Sequence, residues 1–267
     1  QLEYALGVLG VEDDTLLTDD IKDKIREYVG SRNTMSIKNK VNAMRNKAAK
    51  AVDDFKDYLR WLIAERSKNP LSGQDGEVLS KLIGSDEDGE TLTELELLHN
   101  CIFLLNAGHE TTANAVTNGI DTLLRFPDEL ERLRADRDLT FSAIEELFRF
   151  ESSVQLNNRK LTSDAEIGGV QMKKDDYVWL CIGAANRDPI EFSDPDVIDI
   201  GRERNKHLAF GSGIHACAGM SLGRMEARIA LNGFIQRFTY IEPSGTAIRH
   251  PRARFRGFVD YPVTVSA

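Results

Sequence analysis

The residues with the clearest chemical potential lie between His207 and Glu226, in HLAFGSGIHACAGMSLGRME. An aromatic residue, Phe210, leads into a glycine-rich turn, Cys217 follows, and the sequence then becomes helical, so Cys217 is expected at the start of a helix. A helix N-terminus favours the thiolate form of cysteine, and neighbouring glycines let backbone N–H groups approach the sulfur. Such a cysteine is suited to attack an electrophile or to bind a metal; the alternative is a buried apolar cysteine beside a turn.

The same stretch resembles the cysteine loop of the cytochrome P450 family, whose pattern is Phe-Gly-x-Gly-x-His-x-Cys-x-Gly. Every fixed position of the pattern is present, at Phe210, Gly211, Gly213, His215, Cys217 and Gly219. The resemblance implies that Cys217 is the axial thiolate ligand of a haem b iron, where it donates electron density that favours O–O cleavage. It also implies that Phe210 and Gly211 lie beside the haem and that His215 donates to a haem propionate.

A second informative segment, Thr93 to Phe126, predicts a long helix that Pro127 ends. Its first half is apolar on nearly all sides, which is typical of a buried helix. The sequence AGHETT, residues 107–112, interrupts this pattern. Glycine and adjacent threonines lower helix propensity, and buried Glu and His side chains are costly to desolvate, so a functional use of the segment is indicated.

This segment resembles the central helix of the same family, which crosses the distal face of the haem. The resemblance implies that Ala107 and Gly108 leave room for dioxygen, that Thr111 hydrogen-bonds it, and that Glu110 relays protons through water. The alternative for the threonine hydroxyls is backbone hydrogen bonding within the helix. His109 is expected to pack or to form a local hydrogen bond rather than to bind a metal.

Three further arginines, Arg149, Arg159 and Arg202, match positions of the family. Glu146 and Arg149 share one face of a predicted helix over Thr140–Phe150, an arrangement that is usually a solvated surface pair. The resemblance implies instead that this pair is buried beneath the haem, is joined by Arg202, and maintains the fold and the haem pocket. Arg159 is implied to bind a haem propionate, with a cross-strand salt bridge as the alternative.

The remaining patterns predict mostly helices, with strands in two regions. Apolar residues spaced three and four apart predict helices over 18–30 and 36–67, and a short helix is expected over 78–83. In the resemblance, residues 12–68 form a lid over the substrate channel; the alternative is a surface helical hairpin. Strands are predicted within 153–180 and 240–265, an irregular segment over 184–204, and a helix over 218–238.

Composition limits the classes of partner. The 267 residues, 41% of them hydrophobic, are enough for one large domain or two small ones. A formal charge of -9 disfavours nucleic acid or an anionic membrane as the main partner, and no apolar run is long enough for a membrane span. The three cysteines lack C-x-x-C spacing, which favours a reducing cytoplasm, and no function is expected for Cys101 or Cys181.

These motifs occur in the order typical of the family. We therefore expect a mainly α-helical fold with small β-sheets: one haem-thiolate domain over 1–267, the larger C-terminal part of the family fold without its N-terminal portion. Within it, the central distal helix is expected over 93–126 and the cysteine loop with the start of the proximal helix over 207–226. The resemblance implies a monooxygenase that acts on a small organic substrate and takes electrons from a ferredoxin-type donor. The alternatives are a truncated haem-binding or interaction relative without turnover, and an enzyme that uses peroxide.

Overall fold

The computed structural model describes residues 34–69, 78–84 and 91–267. The predicted helix over 18–30 and part of the predicted lid lie outside the described residues. The chain divides into two compact units, residues 1–102 and 103–267. The prediction of a single haem-thiolate domain, with its lid, distal helix and cysteine loop, stays a prediction.

The described elements confirm a mainly helical fold with small sheets. The α-helices are α1 Thr34–Lys68, α2 Val78–Ile83, α3 Glu94–Arg125, α4 Pro127–Ala135, α5 Thr140–Phe150, α6 Ile182–Ala185 and α7 Met220–Arg237. The strands are β1 Leu156–Lys160, β2 Ala165–Ile167, β3 Val170–Met172, β4 Tyr177–Cys181, β5 Tyr240–Pro243, β6 Ile248–Arg249, β7 Phe258–Asp260 and β8 Val263–Ser266. They form antiparallel pairs β1–β4, β2–β3, β5–β8 and β6–β7. No described helix has the length and the hydrophobicity needed to cross a membrane.

In the first unit, the start of α3 is fixed by a reciprocal cap. The backbone N–H of Thr93 donates to Glu96 Oε2 at 2.9 Å, and the N–H of Glu96 donates to Thr93 Oγ1 at 3.3 Å. This capping box satisfies N–H groups that have no partner within the helix. It explains why the helix begins where the sequence predicted, immediately after Thr93.

In the second unit, the core lies where α3, α5 and α7 meet. Every residue of α5 from Ala143 to Phe150 is buried, so this helix forms the centre of the unit. Gly119 of α3 allows close packing, because a Cβ at this position would lie 2.9 Å from Cδ1 of Leu231 on α7. The core cluster also includes Leu123, Leu130, Leu133, Ile198, Ile200, Ala227 and Ile235.

The predicted pair of Glu146 and Arg149 is confirmed as a buried pair. Arg149 donates through Nε and Nη2 to the two oxygens of Glu146, at 2.8 and 2.7 Å, and Arg202 Nε donates to Glu146 Oε2 at 3.1 Å. Arg149 Nη1 also donates to the carbonyl oxygens of Asn186 and Pro195. Because a buried ion pair needs its remaining donors and acceptors satisfied, these bonds hold the irregular segment after α6 against α5.

The expectation that the first half of α3 is buried throughout is wrong. Phe103, Leu104 and Leu105 are exposed by 66%, 45% and 57%, whereas Asn114, Ala115 and Leu123 further along the helix are buried. An apolar sequence shows which side chains are unfavourable in water. Whether they are buried depends on whether other parts of the protein cover them. In the second unit, the covering residues pack against the later turns of α3.

Candidate functional site

The loop that carries Cys217 is held by its own backbone. The N–H of Cys217 donates to the carbonyl of Phe210 at 2.8 Å, and the N–H of Ala216 donates to the carbonyl of Gly213 at 3.0 Å. Gly211 and Gly213 both have φ of 69°, a conformation that side-chain-bearing residues rarely adopt. The two glycines of the predicted motif are thus required by the turn, which encloses a one-turn 3₁₀ helix over Gly213–His215.

The thiol of Cys217 is exposed and lies just before α7. The helix begins at Met220 with Gly219 at its cap, so the expectation that Cys217 starts the helix is wrong by a short distance. The reason is local, because the 3₁₀ turn and the bond to Phe210 use the backbone of this segment in a tight loop. A Cβ at position 219 would lie 4.0 Å from Cys217 Sγ, which is an ordinary van der Waals contact.

Beneath this loop lies a buried carboxylate that the sequence did not identify as part of the site. Glu145 on α5 accepts from Nε and Nη2 of Arg224 on α7, at 2.7 and 2.8 Å. Its Oε2 also lies 3.1 Å from Nε2 of His207, whose side chain is only 2% exposed. One carboxylate therefore joins the residue at the entry of the cysteine loop to the helix that follows it.

Phe210 lies within this cluster. The Arg224 guanidinium lies 4.6 Å from the centre of the Phe210 ring, and the Phe148 and Phe210 ring centres are 4.7 Å apart. The two rings pack at 59° to one another, an arrangement that aromatic pairs favour. The ring of Phe210 is thereby fixed next to Gly223, where a Cβ would lie 3.6 Å from its Cε1 atom.

The surroundings of Glu145 and Arg224 favour the charged forms of both side chains. Burial alone raises the pKa of Glu145, but hydrogen bonds and charge from His207 and Arg224 outweigh it and lower the pKa to about 2. The pKa of Arg224 is raised, chiefly by its bond to Glu145. Glu145 and Arg224 are thus an ionised pair next to the cysteine loop.

The distal residues predicted from the sequence share one helix. Ala107, Gly108 and His109 are exposed on α3, and a Cβ at Gly108 would meet no atom of the described residues within 4 Å. Thr111 Oγ1 donates to the carbonyl of Ala107 at 2.6 Å, which is the backbone bond considered as the alternative. Glu110 forms an ion pair with Arg252, whose Nη1 lies 3.3 Å from Glu110 Oε2.

The other predicted donors are on the surface. His215 is exposed at the end of the 3₁₀ turn, and Arg159 is exposed on β1, where Nη1 donates to the carbonyl of Asn158 at 2.8 Å. The position opposite Arg159 in β4 is Val178, so the register offers it no cross-strand carboxylate; Lys160 instead pairs with Asp175 at 3.0 Å. The propionate role of Arg159 and His215 stays a prediction.

The structure thus gathers the predicted residues into one loop, one helix and one strand. Sequence reasoning missed Glu145, His207, Arg224 and Arg252. Of these, only Glu145 carried a visible signal, since it forms an acidic doublet with Glu146 in a helix that is mostly apolar. The partners of Glu145 are 62 and 79 positions away in the chain, which no local pattern reveals.

Comparison with known proteins gives consistent matches. The cytochrome P450 family model matches residues 19–264. The biotin biosynthesis cytochrome P450 of Bacillus subtilis (strain 168) is 41% identical over 208 residues, which cover 78% of this chain and 51% of the relative. The monooxygenase PikC of Streptomyces venezuelae is 39% identical over 222 residues, which cover 81% of this chain and 52% of PikC. The chain spans about half the length of these curated relatives.

Solved structures agree with these matches. P450BioI in complex with an acyl carrier protein ligated to hexadec-9Z-enoic acid has a TM-score of 0.74 and 36% identity, covering 94% of this chain and 63% of that one. CYP109E1 from Bacillus megaterium in complex with corticosterone has a TM-score of 0.78 and 30% identity, covering 98% of this chain and 68% of that one. Both similarities extend over nearly all of this chain.

Proposed function

This chain belongs to the cytochrome P450 family, and on that premise we propose that it is a haem-thiolate monooxygenase that inserts one oxygen atom from dioxygen into a small organic substrate. The observation that supports the proposal best is the loop around Cys217. Its thiol is exposed while its backbone is fixed by the bond to Phe210 and by the two left-handed glycines. A reactive or metal-binding cysteine needs this combination of access and rigid support.

The residues present fit a haem. Among the described residues, no three His, Cys, Asp or Glu side chains converge into a metal site, so Cys217 offers a single soft donor. One cysteine thiolate is the protein ligand that a haem iron needs in this family, and the exposed Cys217 is accessible to such a group. When bound, the haem would supply the activation of dioxygen and the transfer of oxygen.

The chain's own residues would support this chemistry from two sides. Cys217 would bind the iron, and Phe210 and Gly211 would line the same side. On α3, Ala107 and Gly108 would leave space for small ligands, since nothing approaches a Cβ at Gly108 within 4 Å. The Thr111 hydroxyl, which now donates to Ala107, retains an acceptor lone pair and is able to rotate toward a ligand.

Glu110 would deliver protons to this side. Its carboxylate is 36% exposed, so it reaches solvent, and Arg252 holds it by an ion pair. A partly exposed carboxylate exchanges protons with water, and the ion pair with Arg252 would have to open for Glu110 to pass a proton on. His215 and Arg159 would donate to the haem propionates, and a ferredoxin-type protein would supply electrons.

The family relatives bound to an acyl chain and to a steroid indicate that largely apolar molecules suit this fold. We propose the same broad class for this chain. The acidic balance of the chain, with a formal charge of -9, fits a cytoplasmic enzyme that binds small molecules rather than nucleic acid.

The absorption spectrum of the purified, reduced chain under carbon monoxide tests the proposal. We expect a red-shifted, thiolate-type Soret band that Cys217→Ala abolishes. Cys181→Ala is the matched control, because Cys181 is also an exposed free cysteine and its removal should leave the band unchanged. Loss of the band in both variants, or a band that persists in Cys217→Ala, contradicts the assignment of Cys217. A normal band without product formation supports the alternative of a haem-binding relative without turnover.

A further inference from the structure

A cleft in the second unit is lined by several arginines and by none of the described residues of the cysteine loop. Its volume is about 460 Å³, within the range of sites for small organic molecules. Arginines Arg249, Arg252 and Arg256 line it, together with His250. The apolar part of the lining includes Leu156, Ala184 and Ala253, and none of the described lining residues is acidic.

The positive charge of the cleft comes from one short segment of the sequence. The segment from Arg249 to Arg256, RHPRARFR, holds four arginines and a histidine within eight residues, in a chain whose formal charge is -9. The ordinary explanation for such a cluster is that the arginines form structural ion pairs with carboxylates of the same chain. Three of them do so: Arg249 pairs with Asp121, Arg252 with Glu110 and Arg256 with Glu151.

These ion pairs leave an excess of positive charge. Arg125 also lies 3.1 Å from Asp121 and 3.7 Å from Glu151, so four guanidinium groups share three carboxylates. Arg249 and Arg256 each donate through one nitrogen only, at 3.0 and 3.1 Å. Their side chains are 41% and 45% exposed, which leaves N–H donors for a ligand in the cleft.

We propose that this cleft binds an organic acid, with its carboxylate held by Arg249 and Arg256 and its apolar part against Leu156, Ala184 and Ala253. A guanidinium presents parallel N–H donors that match a carboxylate, and the bond is stronger than one between neutral groups. Arg252, which lines the cleft, forms an ion pair with Glu110 on α3. The identification of this acid as the substrate rests on the proposed function.

Calorimetric titration with octanoate and octanamide tests the site in the purified, haem-loaded chain. The two probes have nearly the same shape and differ in charge. We expect octanoate to bind at least about tenfold more tightly than octanamide, which corresponds to about 1.4 kcal/mol. Equal binding of the two probes, or binding of neither, would overturn the proposal without any substitution.

Variants then locate the site. Arg249→Gln and Arg256→Gln should each weaken octanoate binding about fivefold or more and leave octanamide binding unchanged. Arg254→Gln is the matched control, because Arg254 belongs to the same segment but does not line the cleft, and its Nη2 lies 3.3 Å from Asn157 Oδ1. An equal loss in all three variants would mean that octanoate responds to general positive charge, and the site would be rejected.

The carbon monoxide spectrum separates this inference from the proposed function. A thiolate-type spectrum without preference for octanoate rejects the acid site and leaves the monooxygenase intact. A preference for octanoate that depends on Arg249 and Arg256, in a chain without the thiolate-type spectrum, supports the acid site and rejects the enzymatic role.

Discussion

Glu145 and Arg224 form a two-point ion pair across the second unit, with Glu145 Oε1 2.7 Å from Arg224 Nε and Glu145 Oε2 2.8 Å from Arg224 Nη2. The pair joins the central helix α5 to the helix that follows Cys217. It also lies against the ring of Phe210, which accepts the guanidinium on its face. The position of the cysteine loop therefore depends on residues that are not in the loop.

The first prediction concerns the pH dependence of stability. The pKa of Glu145 falls from its ordinary 4.5 to about 2, because its partners favour the charged form. A lowered pKa contributes stability that is complete above about pH 4.5 and is lost as the pH falls toward 2. The contribution at pH 7 is on the order of 3 kcal/mol.

Urea denaturation of the wild type and of Glu145→Gln at pH 7 and pH 3 measures this contribution. We expect the wild type to be more stable at pH 7 and the difference to shrink at pH 3. Glu226→Gln is the control, since Glu226 is exposed on α7. A difference between wild type and Glu145→Gln that is the same at both pH values would contradict the role assigned to the carboxylate.

The second prediction concerns the geometry of Arg224. Arg224→Lys keeps the charge but replaces two parallel N–H donors by one ammonium, so the two-point contact with Glu145 is lost. We expect a loss of about 1–2 kcal/mol in the free energy of unfolding, since bonds to charged groups contribute roughly that much each. Arg228→Lys, at an exposed position of the same helix, should change it by less than about 0.5 kcal/mol.

The same pair of variants tests the link to the cysteine loop. In the haem-loaded protein, Arg224→Lys should speed the loss of the thiolate-type carbon monoxide band on incubation, whereas Arg228→Lys should not. If the band of Arg224→Lys is as durable as that of the wild type, Arg224 contributes to the stability of the fold alone.

The third prediction compares two glycines within helices. A Cβ at Gly119 would lie 2.9 and 3.3 Å from the two methyl carbons of Leu231, whereas a Cβ at Gly233 meets nothing within 4 Å. Alanine favours a helix over glycine by about 1 kcal/mol, but overpacking a core costs about 1–3 kcal/mol. Gly119→Ala should therefore destabilise the protein and Gly233→Ala should stabilise it, as measured by thermal unfolding. Stabilisation by both would show that the contact between α3 and α7 relaxes easily.

The fourth prediction addresses proton delivery and depends on the proposed function. Thr111→Ala should uncouple electron consumption from product formation, because its hydroxyl would no longer hydrogen-bond a ligand. Thr117→Ala is a close control: Thr117 Oγ1 donates to Ala113 at 2.9 Å, the same bond that Thr111 makes to Ala107. Product yield per electron should therefore fall in Thr111→Ala only. If product formation in Thr111→Ala stays fully coupled to electron consumption, the role of the hydroxyl is refuted. If Thr111→Ala turns over as the wild type does with peroxide alone, the peroxide route is favoured.

Local patterns predicted the elements of this fold well. The helix over Glu94–Arg125 begins after a capping box and ends before a proline, and both signals lie within a few residues of the boundaries. The buried pair of Glu146 and Arg149, with Arg202 as its third member, was predicted from the family resemblance and is confirmed by the contacts. Burial was predicted less well, as the exposed Phe103 and Leu105 show, because exposure depends on what other elements cover.

The sequence by itself determined most of the described secondary structure, the family, and the loop that presents Cys217, because glycines with a left-handed backbone and a cysteine in fixed spacing are local properties. Only the tertiary structure decided which charges meet. Glu145 bonds to His207 and Arg224, and Glu110 bonds to Arg252. These partners are 62 to 142 residues apart in the sequence. Ion pairs form where folded elements bring opposite charges within a few ångströms, and that distance is set by the packing of helices rather than by the order of residues.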